Sequence, residues 1–159
     1  MVLDADGLNV LAKFLPDAGL AARRAPLILT PHPGEFARLT RSSTKAVQDQ
    51  REPLATAFAS AQKVVLVLKG HQTLVTDGPR LYRNTTGNPG MAAGGSGDVL
   101  TGLIAALVAQ HLEPFQAAQL AVYLHGLAGD IALRELGGTT LIASDLVDFL
   151  PKAFGALPK

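Results

Sequence analysis

The run Lys63-Val64-Val65-Leu66-Val67-Leu68 is apolar after its first residue and carries three β-branched side chains. A strand with one wet face alternates apolar and polar residues, whereas an unbroken apolar run belongs to a strand that is dry on both faces. The segment therefore predicts a sheet covered by helices on both sides. Leu8, Leu11, Phe14 and Leu15 form a short helical stripe, closed near Pro16. Leu27 to Thr30 reads as a buried strand, followed by Pro31-His32-Pro33-Gly34, whose two prolines hold off helix until about Glu35. Thr44 is placed to cap a helix over Lys45 to Gln62, with a break or kink at Pro53. Leu74–Thr76 and Arg80–Arg83 flank Asp77-Gly78-Pro79 as a hairpin. Two buried helices follow, Val99 to Gln110 and Pro114 to Leu136, and Ser144 is placed to cap a last one from Asp145. The expected class is α/β with a mostly parallel sheet, in which ligands bind at the carboxyl ends of the strands.

At 159 residues the chain is expected to be a single domain, and 48% apolar against 17% charged residues describes a packed interior. Fourteen basic and 13 acidic side chains leave no field to gather nucleic acid or anionic lipid. There is no cysteine, hence no disulfide, thiolate metal site or cysteine nucleophile. Asp4 and Asp6 interrupt any apolar start that could serve as a signal peptide, and the apolar run from Val99 to Ala109 is too short to span a bilayer. The expected location is the cytoplasm. The chain opens almost inside a motif, VLDADGLNVLAKFL, so part of the domain is expected to be missing upstream.

Chemistry concentrates in Gly87 to Asp98, GNPGMAAGGSGD, with five glycines in twelve residues directly before an apolar helix. Such a cluster lets backbone N–H groups converge on a concave spot, and the positive end of the helix dipole points at the same spot. Together they suit a phosphate. Asp98 would repel a bound anion but is placed to take a proton from an attacking hydroxyl, which suggests phosphoryl transfer. The loop is no Walker A motif, since Asp98 and Val99 follow Gly97, and no GxGxxG fingerprint, since Leu100 fills its third position.

Three further segments follow predicted strands. Asp4 and Asp6 alternate in direction, so that one can face Mg²⁺ or a substrate hydroxyl while the other caps the next helix; capping is the expected role for the pair. His32 is held rigidly between prolines, and Glu35 can cap its helix or help to hold hydrated Mg²⁺. Lys69 ends the apolar strand and delivers an ammonium to the sheet's edge, beside Gly70 and the Thr73 hydroxyl, an arrangement suited to nucleotide phosphates or ribose. His71, His111 and His125 show no metal-ligand spacing, and His125 reads as a core histidine.

The segments VLDADGLN at 2–9, LTPHPGEFARL at 29–39, VLVLKGHQTLV at 65–75 and NTTGNPGMAAGGSGDVLTGLIAALVAQ at 84–110, with YLHGLAGDIA at 123–132 and ASDLVDFLP at 143–151, resemble the ADP-dependent NAD(P)H-hydrate dehydratases of the ribokinase-like superfamily. The resemblance implies a ribokinase-like fold with helices on both sheet faces, of which this chain is the carboxyl-terminal part, without the amino-terminal strands and the loops that contact the nicotinamide. It implies dehydration of the S epimer of NAD(P)H hydrate, with ADP (ATP in eukaryotic members) and Mg²⁺, releasing AMP and phosphate. It implies that Asp98 is the catalytic base, that His32 and Asp98 contact the hydrate, and that Lys69, Gly70, His71, Gln72, Thr73, Gly94, Gly95, Ser96 and Gly97 contact the nucleotide. No protein residue is expected as a metal ligand. The expected partners are these small molecules, in a homo-oligomer, with neither nucleic acid nor membrane. The alternatives are a ribokinase-like kinase acting on a vitamin precursor and a nucleotide-binding fragment without activity.

Overall fold

The computed structural model describes residues 1–137 and 141–158. Its strands are β1 (Val2–Leu3), β2 (Ile28–Leu29), β3 (Val65–Leu68), β4 (Leu74–Thr76) and β5 (Leu81–Arg83). Its helices are α1 (Asp6–Ala18), α2 (Pro33–Thr40), α3 (Thr44–Asp49), α4 (Arg51–Gln62), α5 (Ser96–Ala109), α6 (Pro114–Leu136) and α7 (Ala143–Gly155), with one 3₁₀ turn at Pro89–Met91.

The strands form one sheet in the order β1-β2-β3-β4-β5. β1, β2 and β3 pair in parallel, while β4 runs back against β3 and β5 runs back against β4. The sheet is therefore mixed, where a mostly parallel one is expected from sequence: the tight 77–80 turn allows only antiparallel pairing of its flanks. Because β5 reverses β4, it points the same way as β1, β2 and β3. The loops after all four consequently emerge at one edge.

The β3 run behaves as its composition demands. Val65 and Val67, with Ile28 and Val75, face a core shared with α5, α6 and Ala153 of α7. Leu66 and Leu68, with Leu29 and Leu74, face the opposite core beneath α1, α2, α3 and α4. All four β3 residues are buried, so the period-2 alternation is present although both sets are apolar.

Several boundaries differ from the sequence expectation, each for a local reason. α2 starts at Pro33, not near Glu35, because proline at the first helical position loses only a hydrogen bond that was never to be made. α1 runs past Pro16 to Ala18. The expected 45–62 helix is two helices meeting at Gln50; Pro53, lacking an N–H, sits in the first turn of α4, and Ser43, not Thr44, caps α3 by accepting the Ala46 N–H at 3.1 Å. β3 begins at Val65 because Lys63 is the left-handed cap of α4. α7 begins at Ala143, before Ser144, with the Asp145 carboxylate accepting the Ile142 N–H at 2.9 Å. α5 begins three residues before Val99, at Ser96. The sheet hairpin and the full extent of α6 stand as expected.

The loop from β5 to α5 packs on α6 through missing side chains. A Cβ at Gly126 would lie 2.3 Å from Thr86 Oγ1 and 2.7 Å from the Thr86 carbonyl carbon; one at Gly129 would lie 2.3 Å from Met91 Sδ. Gly126→Ala gains about 1 kcal/mol of helix propensity but forces backbone apart, an overpacking cost of about 1–3 kcal/mol or more. The expected outcome is a lower urea midpoint for Gly126→Ala; an unchanged or higher midpoint would show that the loop is not seated as described.

Candidate functional site at the carboxyl edge of the sheet

The edge is organised around a charge pair. Asp4 directly follows β1 and Lys69 directly follows β3, and Lys69 Nζ donates to Asp4 Oδ1 at 2.7 Å. The second carboxylate oxygen accepts the Thr101 hydroxyl from α5 at 2.8 Å. Both charged side chains are largely covered, at 19% exposure for Lys69 and 10% for Asp4. Burial pushes the Asp4 carboxyl up, but the hydrogen bonds from Lys69 and Thr101 and the ammonium charge outweigh it and hold the group below its ordinary value. Neither carboxylate of the Asp4 and Asp6 pair caps α1, contrary to the sequence expectation: Asp4 is turned to Lys69, and α1 has no side-chain cap. Backbone bonds knit the strand ends beneath the pair, Thr30 N donating to Leu3 O at 3.2 Å and Lys69 N to Pro31 O at 2.8 Å.

Above the pair lies the start of α5. Gly97 is its second residue, and a Cβ there would lie 3.3 Å from Lys69 Nζ and 3.8 Å from Asp4 Oδ2. Glycine thus lets the ammonium approach the first helical turn, whose N–H groups also point outward as partial positive charge. Gly95 begins the helix with φ +86°, a left-handed conformation that favours glycine. Gly94 is exposed, with open space around it. Asp98 stands exposed in the first turn of α5 and has no hydrogen-bond or ion-pair partner among the described residues. A free carboxylate in the first turn of a helix can accept a proton from a hydroxyl held next to an anion at that helix start.

Of the remaining sequence-predicted residues, Gly70, His71, Gln72 and Thr73 form the turn between β3 and β4, directly after Lys69. Ser96 is buried, and His32 caps α2: its Nδ1 accepts the Gly34 and Glu35 N–H groups at 3.0 and 3.2 Å. Glu35 answers by accepting the His32 N–H at 2.8 Å and standing 3.3 Å from Nε2. Half the His32 side chain stays open to solvent. No hydrogen bond joins His32 to Asp98 among the described residues; they share the edge but sit on different loops. No three His, Cys, Asp or Glu side chains among the described residues gather as a metal site. No helix of the described residues is long and apolar enough to cross a membrane.

Other residues hold this site in place and were not singled out from sequence. Asp130 accepts the Gly87 N–H at 2.8 Å and the Asn88 side-chain amide at 2.9 Å. Thr86 Oγ1 donates to Tyr123 O at 2.8 Å, and the Asn84 side chain donates to Val122 O at 3.2 Å. The spacing of Gly126, Gly129 and Asp130 puts all three on one face of α6, a signal available in the sequence. His125 is a buried core histidine, as expected, and it also touches the site: its Nε2 donates to Ser96 O at 3.0 Å.

Burial pushes the His125 imidazole down to about 4 from 6.5, against the raising effect of the Ser96 carbonyl. The unfolded chain therefore takes up a proton at higher pH than the folded one. This contribution to stability is complete above about pH 6.5 and lost as pH falls toward about 4, a total on the order of 3 kcal/mol. Asp4 acts only below its ordinary 3.8, so the two windows separate. Urea midpoints measured from pH 7 to pH 4 are expected to fall, and to fall much less in His125→Gln, which keeps a donor for Ser96 O. Equal slopes in both proteins would contradict this origin.

Comparison with known proteins places the arrangement. A family profile described as NAD(P)H-hydrate dehydratase matches residues 1–152. The bifunctional NAD(P)H-hydrate repair enzyme Nnr of Moorella thermoacetica is 50% identical over 152 residues, covering 94% of this chain and 28% of that protein. The ADP-dependent (S)-NAD(P)H-hydrate dehydratase of Bacillus subtilis is 41% identical over 146 residues, covering 87% of this chain and 52% of that protein. A crystal structure of the ADP/ATP-dependent NAD(P)H-hydrate dehydratase from Bacillus subtilis, co-crystallised with ATP and Mg²⁺, superposes with a TM-score of 0.83 at 35% identity, over 97% of this chain and 53% of that one. The chain thus spans about half the length of the dehydratase relative and under a third of the bifunctional one. The fold is ribokinase-like, as the sequence resemblance implied. The chain belongs to the NAD(P)H-hydrate dehydratase family.

Proposed function

We propose that this edge is the nucleotide-binding and proton-accepting part of an ADP-dependent site that dehydrates the S epimer of NAD(P)H hydrate. The observation that carries the reading is Asp98, exposed in the first turn of α5 without a partner among the described residues, and next in sequence to Gly97, where a Cβ would lie 3.3 Å from Lys69 Nζ. The name of the Bacillus subtilis relative supports ADP as the nucleotide.

In this reading the hydrate's hydroxyl lies against Asp98, which takes its proton. The hydroxyl oxygen forms a bond to the β-phosphorus of ADP as the bond to the bridging oxygen breaks, and AMP leaves. The amides of Gly94, Gly95 and Gly97 and the start of α5, with the Ser96 N–H turned to Ala93 O at 3.3 Å, hold the charge on the transferred group. Lys69, already beside Gly97, holds the phosphates of the nucleotide, with Gly70, His71, Gln72 and Thr73 around it. The phosphorylated hydroxyl then leaves as inorganic phosphate: the ring nitrogen's electron pair expels it, and loss of a proton from the neighbouring carbon restores the dihydronicotinamide. His32 presents its half-exposed ring to the hydrate from a neighbouring loop. Mg²⁺ would arrive with the nucleotide and supply charge neutralisation at its phosphates.

The test mixes the S hydrate, ADP and Mg²⁺ with the natural polypeptide that carries this chain and follows the return of dihydronicotinamide absorbance. Asp98→Asn is expected to lower turnover about 10²–10⁴-fold, with ADP still bound. Full activity in that variant would remove Asp98 from its role. A stable phosphorylated product in place of NAD(P)H would replace the dehydratase with a kinase.

A further inference from the structure

Arg51, the first residue of α4, belongs to none of the four edge loops, yet its guanidinium is committed to one of them. Nη1 donates to His71 O at 2.6 Å, and Nη2 donates to Leu68 O at 3.1 Å and Lys69 O at 3.4 Å. The one carbonyl left in that stretch, Gly70 O, accepts the Thr73 hydroxyl at 3.0 Å. Every carbonyl from Leu68 to His71 is therefore engaged by a side chain. The backbone amides of Gly70, His71 and Gln72, by contrast, have no acceptor among the described residues. The turn keeps this polarity with Gly70 at φ +127° and Gln72 at φ +51°, conformations that cost a residue with a side chain.

An arginine here is expensive for the fold. It places a cation at a helix N-terminus, against the dipole. It is partly buried and close to a second guanidinium, Arg83, while Nε is buried without a partner. Glu52 pairs with Arg83 and not with Arg51. A lysine ammonium also has three donors but carries them on one flexible point, whereas the planar guanidinium spreads Nη1 and Nη2 across three carbonyls in a fixed geometry.

We infer that Arg51 is a positioning residue of the nucleotide site: it gathers the carbonyls of 68–71 on the protein side, so that the amides of 70–72 are turned toward the anionic nucleotide. This rests on the nucleotide-binding reading above and assigns that reading a residue outside the edge loops. With the carbonyls free to turn outward, the same loop would present negative dipoles to phosphate.

The test is calorimetric titration of the full chain with ADP and Mg²⁺, in the native sequence and in Arg51→Lys. The variant is expected to bind ADP about tenfold to a hundredfold more weakly, the effect of losing one or two charge-assisted hydrogen bonds. In the natural polypeptide the KM for ADP should rise while the KM for the hydrate stays unchanged, a split that general loss of fold does not produce. Equal ADP affinity in the two proteins would overturn the inference and leave the nucleotide reading intact. No ADP binding by the native sequence would remove that reading and the inference together. Should Arg51→Lys fail to fold, hydrogen exchange of the native protein decides: the amides of Gly70, His71 and Gln72 are expected to slow on ADP addition, and unchanged exchange overturns the inference.

Discussion

The hydrogen-bonded ion pair between Asp4 and Lys69 is the contact on which the rest of this edge depends. It joins the end of β1 to the end of β3 across the intervening β2, and Thr101 ties the same carboxylate to α5. Three segments distant in the chain thereby share one small, largely covered volume. An ion pair in such a place contributes little net stability, because desolvation offsets much of the attraction. Its value lies in placement: Lys69 Nζ cannot swing into solvent without leaving a covered carboxylate unpaired. The ammonium is held where Gly97 leaves room for it, against the positive end of α5.

Around that pair the backbone polarity is arranged to receive negative charge. The N-terminus of α5 presents N–H groups, and Gly95 makes the turn into it. The turn after β3 has its carbonyls taken by Arg51 and Thr73. The loop from β5 is fastened to α6 by Asp130 and by the glycines that let it approach, and His125 holds the carbonyl of Ser96. This fastening keeps the loop in place from behind, while Asp98 remains without a partner among the described residues. Rigid surroundings with one uncommitted carboxylate fit the proton-accepting role proposed for Asp98.

Much of this was legible in the sequence. The unbroken apolarity of Val64 to Leu68 announces a sheet dry on both faces, and the glycines before Val99 announce the start of a helix. Boundaries are less legible where proline has two meanings: Pro33 begins a helix and Pro53 sits just after a break, and only the local path of the chain decides between starting and stopping. The Asp77-Gly78-Pro79 turn marks β4 and β5 as a hairpin, but the antiparallel pairing of β4 on β3, which completes β5's direction, has no such mark. The partners of Asp4 were not legible. Residues 4, 69 and 101 carry no mark of one another, since their meeting results from strand order and not from spacing. Arg51 was hidden for the same reason, its targets lying 17 to 20 residues away in a loop that gives no local signal.

The most direct measurement of the central claim is a double-mutant cycle on the unfolding free energy, with Asp4→Asn, Lys69→Met and the pair together. If the two side chains form one linked unit that organises the carboxyl edge, the cycle should return a coupling energy of about 1–3 kcal/mol, with the double variant less destabilised than the sum of the singles. Additive effects within about 0.3 kcal/mol would contradict it. Asp4 and Lys69 would then be neighbours without being partners.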